Sequence, residues 1–118
     1  MIAGRHNFIM EQGSEFNRTI LWKNSAGAIN DLTGYTARMT IREQVGDGSA
    51  IDSLTSAGGE IVLGGTAGTI QLLLTSTVTA AFDFDRAVYD LELLPGGTEA
   101  EAFKLLKGHI YFQKEVTT

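Results

Sequence analysis

Apolar and polar residues alternate with a period of two through most of the chain. The segment from Tyr35 to Glu43 shows this most clearly: its apolar side chains fall on one side, and two arginines, Arg38 and Arg42, fall on the other. Successive side chains of a strand point to opposite faces of a sheet. The pattern therefore predicts a strand whose core side carries Tyr35, Ala37, Met39 and Ile41.

Similar alternating runs recur along the chain, and segments rich in Gly, Asn, Asp and Ser separate them. The runs are HNFIME, EFNRTILWK, EIVL, TIQLLL, RAVYDLELL and AFKLLKGHIYFQKEV. We expect a short edge strand around Ala50–Leu54 and one helical turn from Ser76, acting as its cap, through Ala80. About seven strands at short spacing predict an all-β fold, a single antiparallel immunoglobulin-like β-sandwich over residues 1–118.

Three aromatic or glycine positions refine this fold. Trp22 and Tyr89 lie in phase with aliphatic neighbours, which predicts core positions. The spacing Asp85-x-Ala87-x-Tyr89 resembles the corner before the sixth strand of immunoglobulin-like domains, where a tyrosine hydroxyl bonds to the preceding connection. In the last strand the phase slips near Leu105–Leu106, and Gly108 indicates a bulge or a close backbone approach.

The two arginines raise the question of a ligand site. In a sandwich of this order the strand from Tyr35 to Glu43 pairs with the strand from Arg86 to Leu94, whose outward face carries Asp90 and Glu92. We therefore predict that Arg38 and Arg42 face these two carboxylates, with Arg38 in salt-bridge range of Asp90 or Glu92. Each pair would contribute about 0.2–1 kcal/mol.

Composition and charge exclude several function classes. The chain has 118 residues, no cysteine and a net charge of −5. Disulfides and thiolate sites are therefore absent, and the acidic charge disfavours nucleic acid as a partner. We expect no membrane partner and a soluble, unexported protein, because no apolar run reaches spanning length and the N-terminus lacks a signal-like apolar segment.

Candidate catalytic chemistry is sparse. His6 and His109 do not have metal-ligand spacing, the glycine-rich pieces lack the P-loop ending, and no nucleophile-elbow motif occurs. Asp83, Asp85 and Asp90 form an acidic group without EF-hand spacing. The alternation along the last strand does not assign Tyr111 to the core, which suggests an interface contact for this residue. The sequence predicts no catalytic, cofactor-binding or metal-binding residue.

The run from Phe8 to Glu43 resembles small virion proteins of tailed bacteriophages. The resemblance extends over nearly the whole chain and rests on Gln12–Gly13, Phe16, Thr19, Trp22–Asn24, Gly27, Asp31–Arg42, Gly68–Ile70 and Tyr89–Leu93. A related Asp-Leu-Thr-Gly turn, early in a sandwich, occurs in the attachment domain of phage baseplate proteins that carry receptor-binding proteins.

The resemblance implies a non-enzymatic adaptor in the virion, assembled in the bacterial host, that attaches or organises tail fibres or spikes at the tail or baseplate. Its partners would be other phage structural proteins, with many copies in a symmetric assembly. We expect Met1–Phe8 and Lys114–Thr118 to form flexible arms that reach neighbouring subunits. A capsid decoration protein and, third, a carbohydrate-binding module are the alternatives.

Overall fold

The described residues form nine strands, one α-helical turn and two short 3₁₀ turns, at Gly65–Ala67 and Pro95–Gly97. The structure, a computed structural model, describes residues 4–23, 26–43, 51–98 and 102–114. The strands are β1 (Gly4–Arg5), β2 (Phe8–Glu11), β3 (Phe16–Leu21), β4 (Thr36–Arg42), β5 (Asp52–Thr55), β6 (Ile61–Leu63), β7 (Thr69–Leu74), β8 (Arg86–Leu94) and β9 (Phe103–Gln113). The helical turn is α1 (Ser76–Ala80). Its N-cap is Thr75, whose side chain accepts from the Val78 amide, and not Ser76 as expected.

The strands form two sheets in an immunoglobulin-like order. The large sheet has the order β1-β9-β8-β4-β5, with β2 also paired to β9, and the small sheet has the order β3-β7-β6. These orders correspond to the G-F-C-C′ and B-E-D arrangements of immunoglobulin domains, and α1 connects β7 to β8 at the E–F position. The predicted sandwich is confirmed, with one addition: β1 and β2 lie parallel to β9.

The core lies between the two sheets, and the alternation of the sequence decides its lining. Ala37, Met39 and Ile41 of β4 are buried, as predicted. Phe16 of β3 and Leu72 of β7 supply the opposite wall. One continuous cluster of buried apolar side chains connects the sheets, so the described residues share a single core.

The N-terminal segment is part of this sandwich. Gly4 and Arg5 pair with Leu106 and Lys107, and Phe8, which is 4% exposed, pairs with Ile110. The expectation of a free arm is therefore wrong for residues 4–8, because burial of Phe8 and main-chain pairing hold them on β9. Residues 1–3 and 115–118 lie outside the described residues.

Two irregularities predicted for the last strand are present. The pairing of β8 with β9 shifts between Leu91, opposite Leu106, and Glu92, opposite Lys104, which leaves Leu105 as the extra residue of a bulge. At Gly108 a Cβ atom would overlap the carbonyl oxygen of His6. The glycine therefore permits a close backbone approach, as the sequence indicated.

Candidate interaction surfaces

The two arginines lie on the outer face of the large sheet. The register of β4 and β8 sets Arg38 opposite Glu92, Thr40 opposite Asp90 and Arg42 opposite Val88. Arg38 Nη2 lies 3.2 Å from Glu92 Oε2, and both side chains are partly exposed. The predicted strand pairing and the predicted salt bridge of Arg38 are confirmed, and the exposure of the pair keeps its contribution small.

Asp90 forms its ion pair on the other side of β8. Lys104 Nζ of β9 lies 3.3 Å from Asp90 Oδ2. The bulge at Leu105 places Lys104 directly opposite Glu92, so that Lys104 lies diagonal to Asp90, the preceding outward-facing residue of β8. The sequence suggested two arginines for the two carboxylates, and it gave no sign that a lysine on β9 would bind one of them.

The outer face of the large sheet is basic although the chain is acidic. By strand register, six of the nine Lys and Arg residues face outward on its strands, namely Arg5, Arg38, Arg42, Arg86, Lys104 and Lys107. On the same described strands three carboxylates face outward: Glu11, Asp90 and Glu92. Among the described residues, no carboxylate lies within ion-pair distance of Arg5, Arg86 or Lys107. This face therefore presents positive charge to any partner.

A groove of about 460 Å³ lies on this basic face. Its lining includes Arg5, Arg42, Asp90, Lys107 and His109. It suits recognition of a polar, acidic surface.

His109 and Tyr111 extend this face along β9. Their rings stack, with centroids 6.0 Å apart and an interplanar angle of 22°. Tyr111 is 41% exposed, in line with the phase of its strand. An exposed aromatic beside positive charge is a common element of protein interfaces.

Tyr89 does not form the predicted tyrosine corner. Its buried side chain donates from the hydroxyl to the carbonyl oxygen of His6, at 2.6 Å, and not to the connection that precedes β8. Tyr89 lies opposite Gly108, and the missing side chain of Gly108 leaves room for the His6 carbonyl. Burial raises the pKa of Tyr89 far above its usual value. Tyr89 therefore fixes the N-terminal strands to β8 and β9.

Asp85 was assigned a role in the same corner, and that assignment is also wrong. Its side chain is 88% exposed, and Oδ1 lies 3.6 Å from Lys114 Nζ. Asp83 Oδ1 lies 3.2 Å from the same nitrogen. The hydrogen bond from Lys114 to Asp83 and the two carboxylate charges raise the pKa of Lys114. The main chain of Asp85 does have a structural role, because its carbonyl accepts from the Phe112 amide at 2.9 Å.

Trp22 and Tyr35 pack at one end of the core. Their ring centroids are 6.3 Å apart, and Phe103 lies 5.8 Å from Trp22. Both residues are half-buried and pack against the central cluster. The predicted core assignment holds for both, at the margin of the core.

A further surface, which the sequence did not indicate, is the open edge of β3. Within the described part of the chain β3 forms its ladder with β7 alone. Next to it a cleft of about 340 Å³ opens between β3 and the strands β1 and β2. Its lining consists of Arg5, His6, Phe8, Arg18, Thr19, Ile20 and Leu106. No local sequence signal could have identified this open edge, because it is open only since β1 and β2 pair with β9 and not with β3.

Among the described residues, no group of three or more His, Asp or Glu side chains could hold a metal ion. His6 packs against Phe8, and His109 stacks on Tyr111. The arrangement offers charged and apolar surfaces for recognition.

Comparison with known proteins adds no family assignment. No protein-family model matches the chain, and no curated protein matches it significantly. In the described part of the chain, no helix has the length and apolar character needed to cross a membrane.

Proposed function

We propose that the protein is a structural component of a tailed-bacteriophage virion that attaches or organises fibres or spikes at the tail or baseplate. The observation that carries the proposal is the combination of two open contact surfaces on one small sandwich. The basic face of the large sheet and the edge of β3 can each receive a partner. A module with two such surfaces can link two components.

The Asp-Leu-Thr-Gly stretch of the resemblance has a clear structural role. Asp31 Oδ1 accepts from the amide of Thr33 at 2.9 Å and from its hydroxyl at 2.6 Å. These hydrogen bonds lower the pKa of Asp31. Leu32 is buried, and Gly34 has φ of 82°, which favours glycine. The stretch forms the turn that begins β4, so the resemblance supports a shared fold, and the adaptor role is inferred from it.

Localisation in particles tests the proposal. Virions are purified from cells that carry the gene with a C-terminal epitope tag, and the protein is detected by mass spectrometry and by gold-labelled antibody in electron micrographs. The expected result is label at the tail or its tip. Label over the head would identify a capsid decoration protein, and absence from purified particles would contradict any virion role.

A further inference from the structure

The open edge of β3 has three residues whose main-chain groups point away from the sheet. Opposed residues of an antiparallel pair alternate between hydrogen-bonded and non-hydrogen-bonded positions. The Trp22 amide donates to the Gly68 carbonyl at 2.9 Å, which makes Trp22 a hydrogen-bonded position. Counting back two residues at a time along β3, Asn17, Thr19 and Leu21 direct their N–H and C=O groups to the open side.

Arg18 covers part of this edge. Its guanidinium donates to the carbonyl oxygen of Asn17 at 3.0 Å and, across the cleft, to that of Ile9 at 3.3 Å. It also lies 4.8 Å from the ring centre of Phe16. A charged side chain on an edge strand is a common way to prevent unwanted strand pairing. Here Arg18 occupies the Asn17 carbonyl, which an added strand would use.

The cleft beside β3 favours an acidic occupant. Arg18 lines it, and Arg5, on the edge strand β1, lines both this cleft and the groove of the basic face. Among the described residues neither arginine has a carboxylate within ion-pair distance. Ile20 and Leu106 supply apolar wall in the same cleft. An extended segment with alternating side chains would direct every second one into this cleft.

A second copy of the chain fits this cleft less well. If two β3 strands paired antiparallel about Thr19, Arg18 of the second copy would lie opposite Ile20, inside a cleft that already contains two arginines. Like charges placed this close oppose association. The charge of the cleft therefore selects a different chain.

We propose that the edge of β3 binds an extended, acidic peptide segment of a partner protein by strand addition. The added strand would hydrogen-bond with Thr19 and Leu21 and direct carboxylates towards Arg5 and Arg18. It would bond to Asn17 as well once a carboxylate draws the Arg18 guanidinium from the Asn17 carbonyl. Main-chain bonds supply affinity in this mode, and the alternate side chains supply specificity. The acidic segment would belong to a component that the protein attaches. The proposal therefore rests on the proposed attachment role only because both require a partner protein.

Two fluorescein-labelled peptides of nine residues test the proposal. Both have Thr at the outward positions and Val at two inward positions; the remaining inward positions are Glu in one and Lys in the other. Fluorescence anisotropy should show the Glu peptide binding about tenfold more tightly, equivalent to about 1.4 kcal/mol. Hydrogen exchange should show new protection at the amides of Thr19 and Leu21, while those of Arg18 and Ile20, already bonded to β7, change little.

Variants separate the site from general charge effects. Arg18→Glu should reverse the preference between the two peptides, because Arg18 lines the cleft beside β3 and not the groove on the basic face. Arg86→Glu makes the same charge change elsewhere on the sandwich and should leave the preference intact. Thr19→Pro removes an outward N–H and should weaken binding, since proline is tolerated where the N–H does not serve the ladder. If Thr19→Pro does not fold, the peptide preference of Arg18→Glu still tests the site.

Three results would overturn the proposal: equal binding of the two peptides, no binding at millimolar peptide, or new protection away from β3. Sedimentation of the protein without peptide gives a further test. If the protein self-associates and Thr19→Pro abolishes the self-association, a second copy of the chain is the occupant and the proposal is overturned. Failure here leaves virion localisation unaffected, and absence from virions leaves the peptide measurements valid.

Discussion

The substitution Tyr89→Phe tests how the N-terminal strands are held. It removes a single hydroxyl that donates to the His6 carbonyl at 2.6 Å and leaves the buried ring in place. The ring also packs against Phe8, with centroids 5.2 Å apart, so the packing is retained. A net hydrogen bond contributes about 0.5–1.5 kcal/mol, and an acceptor left without its partner costs about 1–3 kcal/mol. Because this bond is partly buried, we expect a loss of about 1–2 kcal/mol in the free energy of unfolding.

Urea unfolding followed by circular dichroism measures this loss. Tyr111→Phe is the matched control, because Tyr111 is exposed and donates no hydrogen bond to the described residues; its expected change is within about 0.5 kcal/mol. Hydrogen exchange should also accelerate at the His6 amide, which bonds to the Lys107 carbonyl at 3.0 Å. If both variants lose the same small amount, the hydroxyl does not hold the N-terminal strands.

The pH dependence gives a second readout of the same group. Burial raises the pKa of Tyr89 in the folded protein, whereas an unfolded tyrosine titrates near about 10. The unfolded chain therefore loses this proton first, and the contribution of Tyr89 is complete below about pH 10 and declines as the pH rises further. The stability difference between the wild type and Tyr89→Phe should shrink above about pH 10. A difference that stays constant up to about pH 11.5 would contradict the assignment.

Three further predictions follow from other contacts. Gly108→Ala should destabilise by about 1–3 kcal/mol in urea titrations, because its Cβ would overlap the His6 carbonyl; Gly4→Ala, whose Cβ would lie 3.2 Å from a flexible Leu106 atom, should cost clearly less, and equal losses would argue against the close approach. A double-mutant cycle with Arg38→Ala and Glu92→Ala should give a coupling of about 0.2–1 kcal/mol that falls in high salt, and a coupling of zero at low salt would show that the contact contributes nothing. Asp52→Asn should raise the thermal midpoint at pH 7 but not at pH 3. Desolvation by burial and, after it, the nearby charge of Glu60 raise the pKa of Asp52 in the folded protein. The carboxyl group therefore favours the folded state while it is protonated at low pH, and this contribution to stability is lost when it ionises. A larger gain at pH 3 than at pH 7 would contradict that sign.

Much of the candidate site could be predicted from the sequence where the signal is local. The alternation along β4 assigned Ala37 to the core and Arg38 to the outer face, and the neighbouring strand β8 followed from the sandwich order. Glu92 could then be named as a partner of Arg38. Lys104 could not be named as the partner of Asp90, since the bulge at Leu105 sets that diagonal contact.

The hydroxyl partner of Tyr89 could not be predicted for a related reason. A tyrosine at the start of β8 has a familiar local partner, the connection before the strand. Here the His6 carbonyl takes its place because Gly108 lets the N-terminal backbone approach. Both residues are far from Tyr89 in the sequence, and no local pattern connects them.

The sequence by itself determined which segments are strands and which side of each strand faces the core. It does so because burial selects apolar side chains with the two-residue period of an extended chain. Only the tertiary structure decided which strands are neighbours at the edges of the two sheets. Every strand carries the same main-chain donors and acceptors, so the side-chain pattern does not say that β1 and β2 pair with β9 instead of β3. That choice leaves the edge of β3 open, and with it the surface for which we propose a partner strand.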